Sequence, residues 1–335
     1  MNDEQKKIDF LAIGDIVIDA FIKLNDAQVN CNIDKVQCQL CLRFGDKIPY
    51  ESVTVLNAVG NSPNASVSAA RLGLSSALMT NLGDDQNGKN CLETLEKEKI
   101  DTTFVKVNKD KLTNYHYILW YETDRTILVK HQSYERKFPE IENTPSWIYL
   151  SSMGENSLEF HSEIINYLKN NPTIKLAFQP GTYQIKFGTE KLKEIYEHTE
   201  IFFSNLEEVE RILKNDTRDI LELSKGIHNL GPKIVAISDG EKGAYMYLND
   251  ELWHIPIYKD SIPPLERTGA GDAFSSTITC ALALGKTPLE AFTWGPINAM
   301  SVVQKIGAQA GLLSREKLEE HLKNAPAEYK LTKIN

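Results

Sequence analysis

Short apolar runs, most of them stopping at a glycine, a proline or a polar turn and separated by helical stretches, constrain this chain more than any other feature. The first is Asp9-Phe10-Leu11-Ala12-Ile13, ended by Gly14-Asp15. Others run from Ala77 to Thr80, Trp147 to Leu150, Ile174 to Phe178, Ile201 to Phe203 and Lys233 to Ser238. Near-continuous apolar runs of this length fit strands of a parallel sheet covered on both faces. Between them fall a small-residue helix from Ala65 to Leu72 closed by Gly73, a helix through about Lys97, one near 158–169 and one from Leu206. The alternation predicts an α/β fold with a doubly wound, mostly parallel sheet flanked by helices.

Two stretches break that rhythm. Residues 20–57 lose helical periodicity and mix β-formers with the turns Phe44-Gly45-Asp46 and Ile48-Pro49. Over 113–130, Tyr115, Tyr117, Leu119 and Tyr121 alternate with His116, Ile118 and Trp120. The turn Glu122-Thr123-Asp124-Arg125 follows, and Ile127-Leu128-Val129 runs back, a β-hairpin pattern. A hairpin does not fit a parallel sheet, so it is expected to pair with strands from 20–57 in a small sheet that lies over the strand ends as a lid. The expected organisation is one domain over residues 1–335, with lid segments at about 20–57 and 105–135. No repeat or low-complexity segment appears.

The net charge of −9 argues against a nucleic-acid or anionic-membrane surface. A phosphate site would then have to be local, built from backbone amides and a metal. The charged start, Met1 to Lys7, and the short apolar run after it do not make a signal peptide. No apolar stretch approaches the roughly 20 residues needed to span a bilayer, and a cytoplasmic protein is expected. Of five cysteines, Cys31, Cys38 and Cys41 cluster, and Cys38-x-x-Cys41 has metal-ligand or redox spacing. Without a second such pair or a nearby His, reduced thiols are expected.

Chemistry concentrates at the strand ends, where open α/β sheets bind ligands. In Glu266-Arg267-Thr268-Gly269-Ala270-Gly271-Asp272-Ala273-Phe274, a Gly-rich turn opens a helix carrying the stripe Ala273, Phe274, Ile278, Ala281 and Leu282. Such a turn gathers unpaired N–H groups at the positive end of a helix dipole, an anion site. A carboxylate there repels phosphate, so Asp272 either complements the dipole or accepts a proton from a hydroxyl attacking a phosphoryl group. Ser204-Asn205-Leu206-Glu207-Glu208 reads as a helix cap or as a water-mediated Mg²⁺ site. Ser238-Asp239-Gly240-Glu241-Lys242-Gly243 reads as a hairpin turn or as a backbone approach to a nucleotide.

In this order the motifs resemble the PfkB (ribokinase-like) carbohydrate kinase family over nearly the whole chain. Arg267 to Phe274 resembles its C-terminal signature, and Gly60, Asn64 and Arg71-Leu72-Gly73 its N-terminal one. Asn205-x-x-Glu208, Ser238-x-Gly240-x-x-Gly243 and Gly307-Ala308-Gln309 match its metal, nucleotide and C-terminal motifs. The resemblance implies transfer of the γ-phosphate of ATP to a hydroxymethyl group of a sugar, with Asp272 as base and the amides of Gly269, Ala270 and Gly271 as anion hole. It implies that Asp19, Gly60 and Asn64 hold the acceptor, and that Asn205 and Glu208 order Mg²⁺ through water. Ser238, Gly240, Gly243, Arg267 and Asn298 would line the ATP site. It further implies a homodimer formed through the lid, which excludes water from the transferred group.

Three positions depart from the family pattern. Val59 replaces the first glycine of a pair, limiting freedom where the lid would hinge. Glu266-Arg267 stands where many members have Asp-Thr, and Arg267 either contacts a phosphate or pairs with a carboxylate. Gly311 falls where some members offer a Ser hydroxyl to a monovalent cation, which leaves K⁺ activation open. A nucleoside kinase is the alternative, with Tyr115, Tyr117, Trp120 and Tyr121 stacking on a purine.

Overall fold

The computed structural model describes residues 7–31, 38–122, 124–260 and 262–335, so Met1 to Lys6 and Thr123 of the expected turn lie outside the described residues. In chain order the first strands are β1 (Phe10–Ile13), β2 (Val17–Leu24), β3 (Gln28–Asn30), β4 (Gln39–Cys41), β5 (Tyr50–Val59), β6 (Ser76–Gly83) and β7 (Val105–Asn108). Then come β8 (Tyr115–Tyr121), β9 (Asp124–Leu128), β10 (Trp147–Leu150), β11 (Lys175–Phe178) and β12 (Thr199–Asn205). The last are β13 (Ile234–Ser238), β14 (Ala244–Leu248), β15 (Glu251–Ile255) and β16 (Thr332–Lys333). The main sheet runs β16-β15-β14-β13-β12-β11-β10-β1-β6-β7. All pairings from β7 to β13 are parallel, and β14 to β16 add an antiparallel edge.

Both faces of this sheet are covered, which is why its strands are apolar throughout: every residue of β1 and of β10 is buried. On one face lie α1 (Asn61–Arg71) and α2 (Gln86–Lys97). The other carries α3 (Leu158–Asn170), the short α4 (Thr182–Phe187), α5 (Lys193–His198), α6 (Leu206–Leu213) and α7 (Ile220–His228). The chain then returns to the first face with α8 (Ala270–Ala283), α9 (Pro288–Val302) and α10 (Arg315–Lys323). From β1 the chain winds outward through β6 to β7, and from β10 it winds the other way to β13. The β1/β10 junction is therefore the topological switch point, where ligands bind in folds of this kind.

The lid is a four-stranded sheet of order β5-β2-β8-β9, as the hairpin pattern predicted. Its inner boundary needs correcting. Residues 105–108, expected in the lid, form β7 and pair in parallel with β6 at the edge of the main sheet. The cysteine expectation is also overturned. Cys31 and Cys38 form a disulfide, while Cys41, Cys91 and Cys280 are free. Pairing of Asn30 with Gln39 in the β3–β4 hairpin sets residues 31 and 38 opposite each other, which linear spacing does not reveal. Among the described residues no cluster of His, Cys, Asp and Glu could hold a metal by itself, and no helix is long and apolar enough to cross a membrane.

Candidate active site

α8 begins at Ala270, and Gly269 just before it adopts φ 79°. Only glycine fits that left-handed position easily, and a Cβ there would lie 2.2 Å from Ala308 Cβ. The turn is also braced from below. Glu266 is buried, and its carboxylate accepts from Thr268 N (2.8 Å) and Gly307 N (2.9 Å), tying the turn to the segment after α9.

Asp272, in the first turn of α8, keeps part of its surface open to the cleft while its carboxylate is packed among protein atoms. Its Oδ1 accepts from Asn61 Nδ2 (2.7 Å) and Gln179 Nε2 (3.1 Å), and its Oδ2 from Asn64 Nδ2 (2.8 Å). Burial raises its pKa; the three amide donors oppose the rise and the charge of Glu208 adds to it. Oδ1 thus has two donors and Oδ2 one, so Oδ2 keeps an acceptor position open. A further layer holds the donors. Tyr149 donates to Gln179 and hydrogen-bonds to Ser275 (2.6 Å), and Gln309 donates to Asn64 Oδ1 (3.0 Å).

The lid supplies the opposite wall. Leu56 on β5, Asp19 on β2 and His116 on β8 are register partners and share one face of the lid sheet. That face looks into the cleft, because Leu56 reaches across to Gly307, where a Cβ would lie 2.1 Å from Leu56 Cδ1. His116 Nδ1 is 3.5 Å from Asp19 Oδ1, and its ring meets His131 edge-on at 5.3 Å. His131 in turn stands 3.4 Å from Asp15, at the end of β1. Asp15 is buried, pairs with Arg136 (2.6 Å) and accepts from Gly154 N (2.7 Å). Burial pushes its carboxyl up, but His131 and Arg136 outweigh that and hold it below the usual carboxylate value. Gly60 (φ 122°) lets β5 leave beside β1, since a Cβ there would lie 2.8 Å from Asp15 O.

On the other side of the Gly-rich turn lies a cavity of about 440 Å³. Ser238, Gly240, Gly243, Arg267 and the turn residues Ala270 and Gly271 line it, with Phe274, Pro296, Met300 and Val303 among its apolar walls. Arg267 pairs with Glu241 (3.0 Å), both exposed. Asn298 does not line the cavity and is withdrawn from it. It is fully buried, donating to Thr277 Oγ1 (2.8 Å) and accepting from Leu313 N (2.9 Å), while its neighbours Ala299 and Met300 face the cavity. Asn205 and Glu208 form a reciprocal capping box at α6. Glu208 Oε2 accepts from Asn205 N (3.1 Å) and Ser204 Oγ (2.8 Å).

Asn61 and Gln179 touch the Asp272 carboxylate, yet the motifs did not single them out. Gln179 was findable as the polar residue ending a buried strand, and Asn61 as the residue after the glycine that opens α1. The aromatic expectation for the lid is corrected. Tyr115 and Tyr117 alternate with His116 and so point away from the cleft, Tyr117 being half exposed. Trp120 shares the face of His116 but sits under Lys23 and donates to Glu122 O.

The model of the pfkB family of carbohydrate kinases matches residues 26–315. The 5-dehydro-2-deoxygluconokinase of Bacillus subtilis is 24% identical over 338 residues, 95% of this chain and 97% of that protein. The nucleoside kinase of Methanocaldococcus jannaschii is 24% identical over 278 residues, 78% of this chain and 84% of that one. Among solved structures, Arabidopsis thaliana ribokinase complexed with ribose and ATP superposes with a TM-score of 0.78, with 18% identity over 95% of this chain and 99% of that one.

Proposed function

The chain belongs to the pfkB family of carbohydrate kinases, and we propose that it transfers the γ-phosphate of ATP to a hydroxymethyl group of a sugar, with Asp272 as the base. One observation carries this reading. Ala270 and Gly271 line the nucleotide-sized cavity, while the next residue, Asp272, turns its carboxylate toward Asn61, Asn64 and Gln179 on the lid side. A donor phosphate in the cavity and an acceptor hydroxyl under the lid would meet at this turn.

In this reading Asp272 Oδ2 takes the proton of the attacking hydroxyl, and Asn61 and Gln179 hold Oδ1 so that the other oxygen faces the acceptor. The amides of Gly269, Ala270 and Gly271, at the positive end of α8, stabilise the charge that develops on the phosphoryl group. Asp19 and Asn64 orient the acceptor from opposite walls. Closure of Leu56 onto Gly307 keeps water from competing as acceptor.

ATP would occupy the cavity beside Ser238, Gly240, Gly243 and Arg267. Glu208 fits a water-mediated Mg²⁺ site. Only its Oε2 is engaged in the cap, its charge reaches Asp272, and Mg²⁺ keeps most of its waters when one carboxylate and phosphate oxygens hold it. When bound, the ion neutralises phosphate charge. Buried Glu266, bonded to two backbone amides, is the group a monovalent cation such as K⁺ would offset, and rates in K⁺ against Na⁺ buffer test this. The outer lid face, with Val53, Val55, Tyr117 and Leu128 each 44–50% exposed, would join a second copy as a homodimer.

A nucleoside acceptor is the second reading, favoured by the edge-to-face series His116, His131 and Tyr183, an aromatic surface available to a base. Coupled ADP-release assays with ATP/Mg²⁺ and ribose, fructose, adenosine, inosine or cytidine separate the two. Asp272→Asn should lower kcat by about 10²–10⁴-fold, the range for a positioned general base, with KM little changed. Near-normal turnover in that variant would remove Asp272 from the role.

A further inference from the structure

We propose that the acceptor is an uncharged polyol, not a sugar phosphate or a sugar acid, and that Asp19, Asp15 and Arg136 enforce the difference. This rests on the kinase reading above and narrows its substrate.

Two carboxylates face the acceptor cleft, Asp272 on its floor and Asp19 on the lid, and a third, Asp15 at the end of β1, lines a neighbouring cavity with Arg136, Lys106 and Lys137. Among the described residues one cationic side chain, Arg136, pairs with any of them. Arg136 is not free to turn toward a ligand. Its side chain is 3% exposed, one terminal nitrogen is fixed on Asp15 and the other on Asn156. Asn156 is itself held by Tyr134 O (2.8 Å) and Ser133 Oγ (3.2 Å). The guanidinium therefore balances Asp15 and leaves Asp19 and Asp272 without a fixed counter-charge. His116 and His131 each face a carboxylate, His116 standing 3.5 Å from Asp19 and His131 3.4 Å from Asp15. Lys23, farther along β2, is drawn to Glu51 (2.8 Å) and to the Trp120 ring.

Hydrogen-bond demand points the same way. Asp19 Oδ1 is buried with no hydrogen-bond partner, and Asp272 Oδ2 has a single donor. Both oxygens can accept from an O–H group, which every hydroxyl of a polyol supplies. A phosphate dianion or a carboxylate has no such proton to give at neutral pH and adds charge of the wrong sign. A unit negative charge about 6 Å from an unbalanced carboxylate, at an effective dielectric constant of about 20, loses roughly 100-fold in affinity.

The test compares kcat/KM within matched sets: fructose against fructose 1-phosphate and fructose 6-phosphate, and glucose against gluconate, with ribose and adenosine as further neutral acceptors. The neutral member should win by about 100-fold; an anionic acceptor used equally well or better overturns the proposal. Turnover of adenosine but not ribose would identify the polyol as a nucleoside and still support neutrality. Isothermal titration of the same compounds without ATP reads the preference apart from transfer. Binding of neutral compounds with no ADP release sinks the kinase reading alone, whereas tighter binding of the anionic partner, or no neutral binding at all, sinks this one. Asp19→Asn keeps an acceptor oxygen and removes the charge, so the neutral-to-anionic ratio should narrow by about 100-fold for an anionic group about 6 Å from Asp19. An unchanged ratio in a folded variant removes Asp19 from the selection.

Discussion

Replacing Arg136 with Met isolates the buried charge pair under the lid. Methionine keeps much of the stem's packing and deletes the guanidinium, leaving Asp15, 7% exposed, with Gly154 N and His131 as its partners among the described residues. Removing one partner of a buried ion pair costs about 3–5 kcal/mol. Two partners remain, so the lower end, about 3 kcal/mol, applies. At about 2.1 cal/mol/K per residue, a chain of 335 residues unfolds with an entropy near 0.7 kcal/mol/K. The melting temperature should therefore fall by about 4 °C at pH 7. The pH dependence has a definite sign. In the native protein Asp15 is held below the usual carboxylate value, so its contribution is present above its unfolded pKa, about 3.9, and is lost as the pH falls through the lower folded value. In the variant burial acts without the guanidinium, so the gap between the two proteins should close as the pH falls toward and below about 4. Calorimetry or urea titration of both proteins at pH 7, 5 and 4 reads this directly. A loss under about 1 kcal/mol at pH 7, or one that does not change with pH, would show that Arg136 does not stabilise the Asp15 charge.

Other outcomes follow from the same geometry. Because burial raises the Asp272 pKa and the base acts ionised, kcat should fall with acidification along a limb lying above the ordinary carboxylate value of about 3.9. Asn64→Ala, which removes a donor that lowers that pKa, should move the limb to higher pH; a limb that stays put contradicts the assignment. Gly269→Ala forces a Cβ against Ala308 at a left-handed backbone position, strain of about 1–3 kcal/mol, and should cut kcat at least about tenfold in a protein that still folds. Gln179→Leu removes one of the two donors to Asp272 Oδ1 and should lower kcat with little change in acceptor KM, whereas a pure KM effect would make Gln179 a binding group. Val55→Asp places a charge in the middle of the exposed lid face and should give monomers by light scattering; an unchanged mass would move any dimer contact elsewhere.

The fold was legible because burial on both faces leaves a plain mark. Strands such as Phe10–Ile13 and Trp147–Leu150 are apolar throughout, and the glycines and polar residues that end most of the strands stand at the carboxyl edge of the sheet. The Gly269-Ala270-Gly271-Asp272 turn was legible for a local reason too: φ 79° at Gly269 is a backbone requirement that shows in the residue itself. Less visible was where the lid ended. Val105–Asn108 carries no sign of which sheet edge it joins, because β-propensity does not name a partner.

The sequence by itself determined the layered α/β architecture, the Gly-rich turn with its carboxylate, and the cap at Asn205 and Glu208, since each depends on neighbours within a few residues. Tertiary structure alone decided which side chains surround that carboxylate. Asn61 lies 211 residues from Asp272 and Gln179 lies 93 away, and each meets it only because the sheet order places β11, α1 and α8 around one switch point. It likewise decided that Asn298 packs instead of binding, that Tyr117 faces outward while His116 faces the cleft, and that Arg136 is committed to Asp15. Long-range contacts of this kind are set by how elements pack, and packing leaves no periodicity in the chain to read.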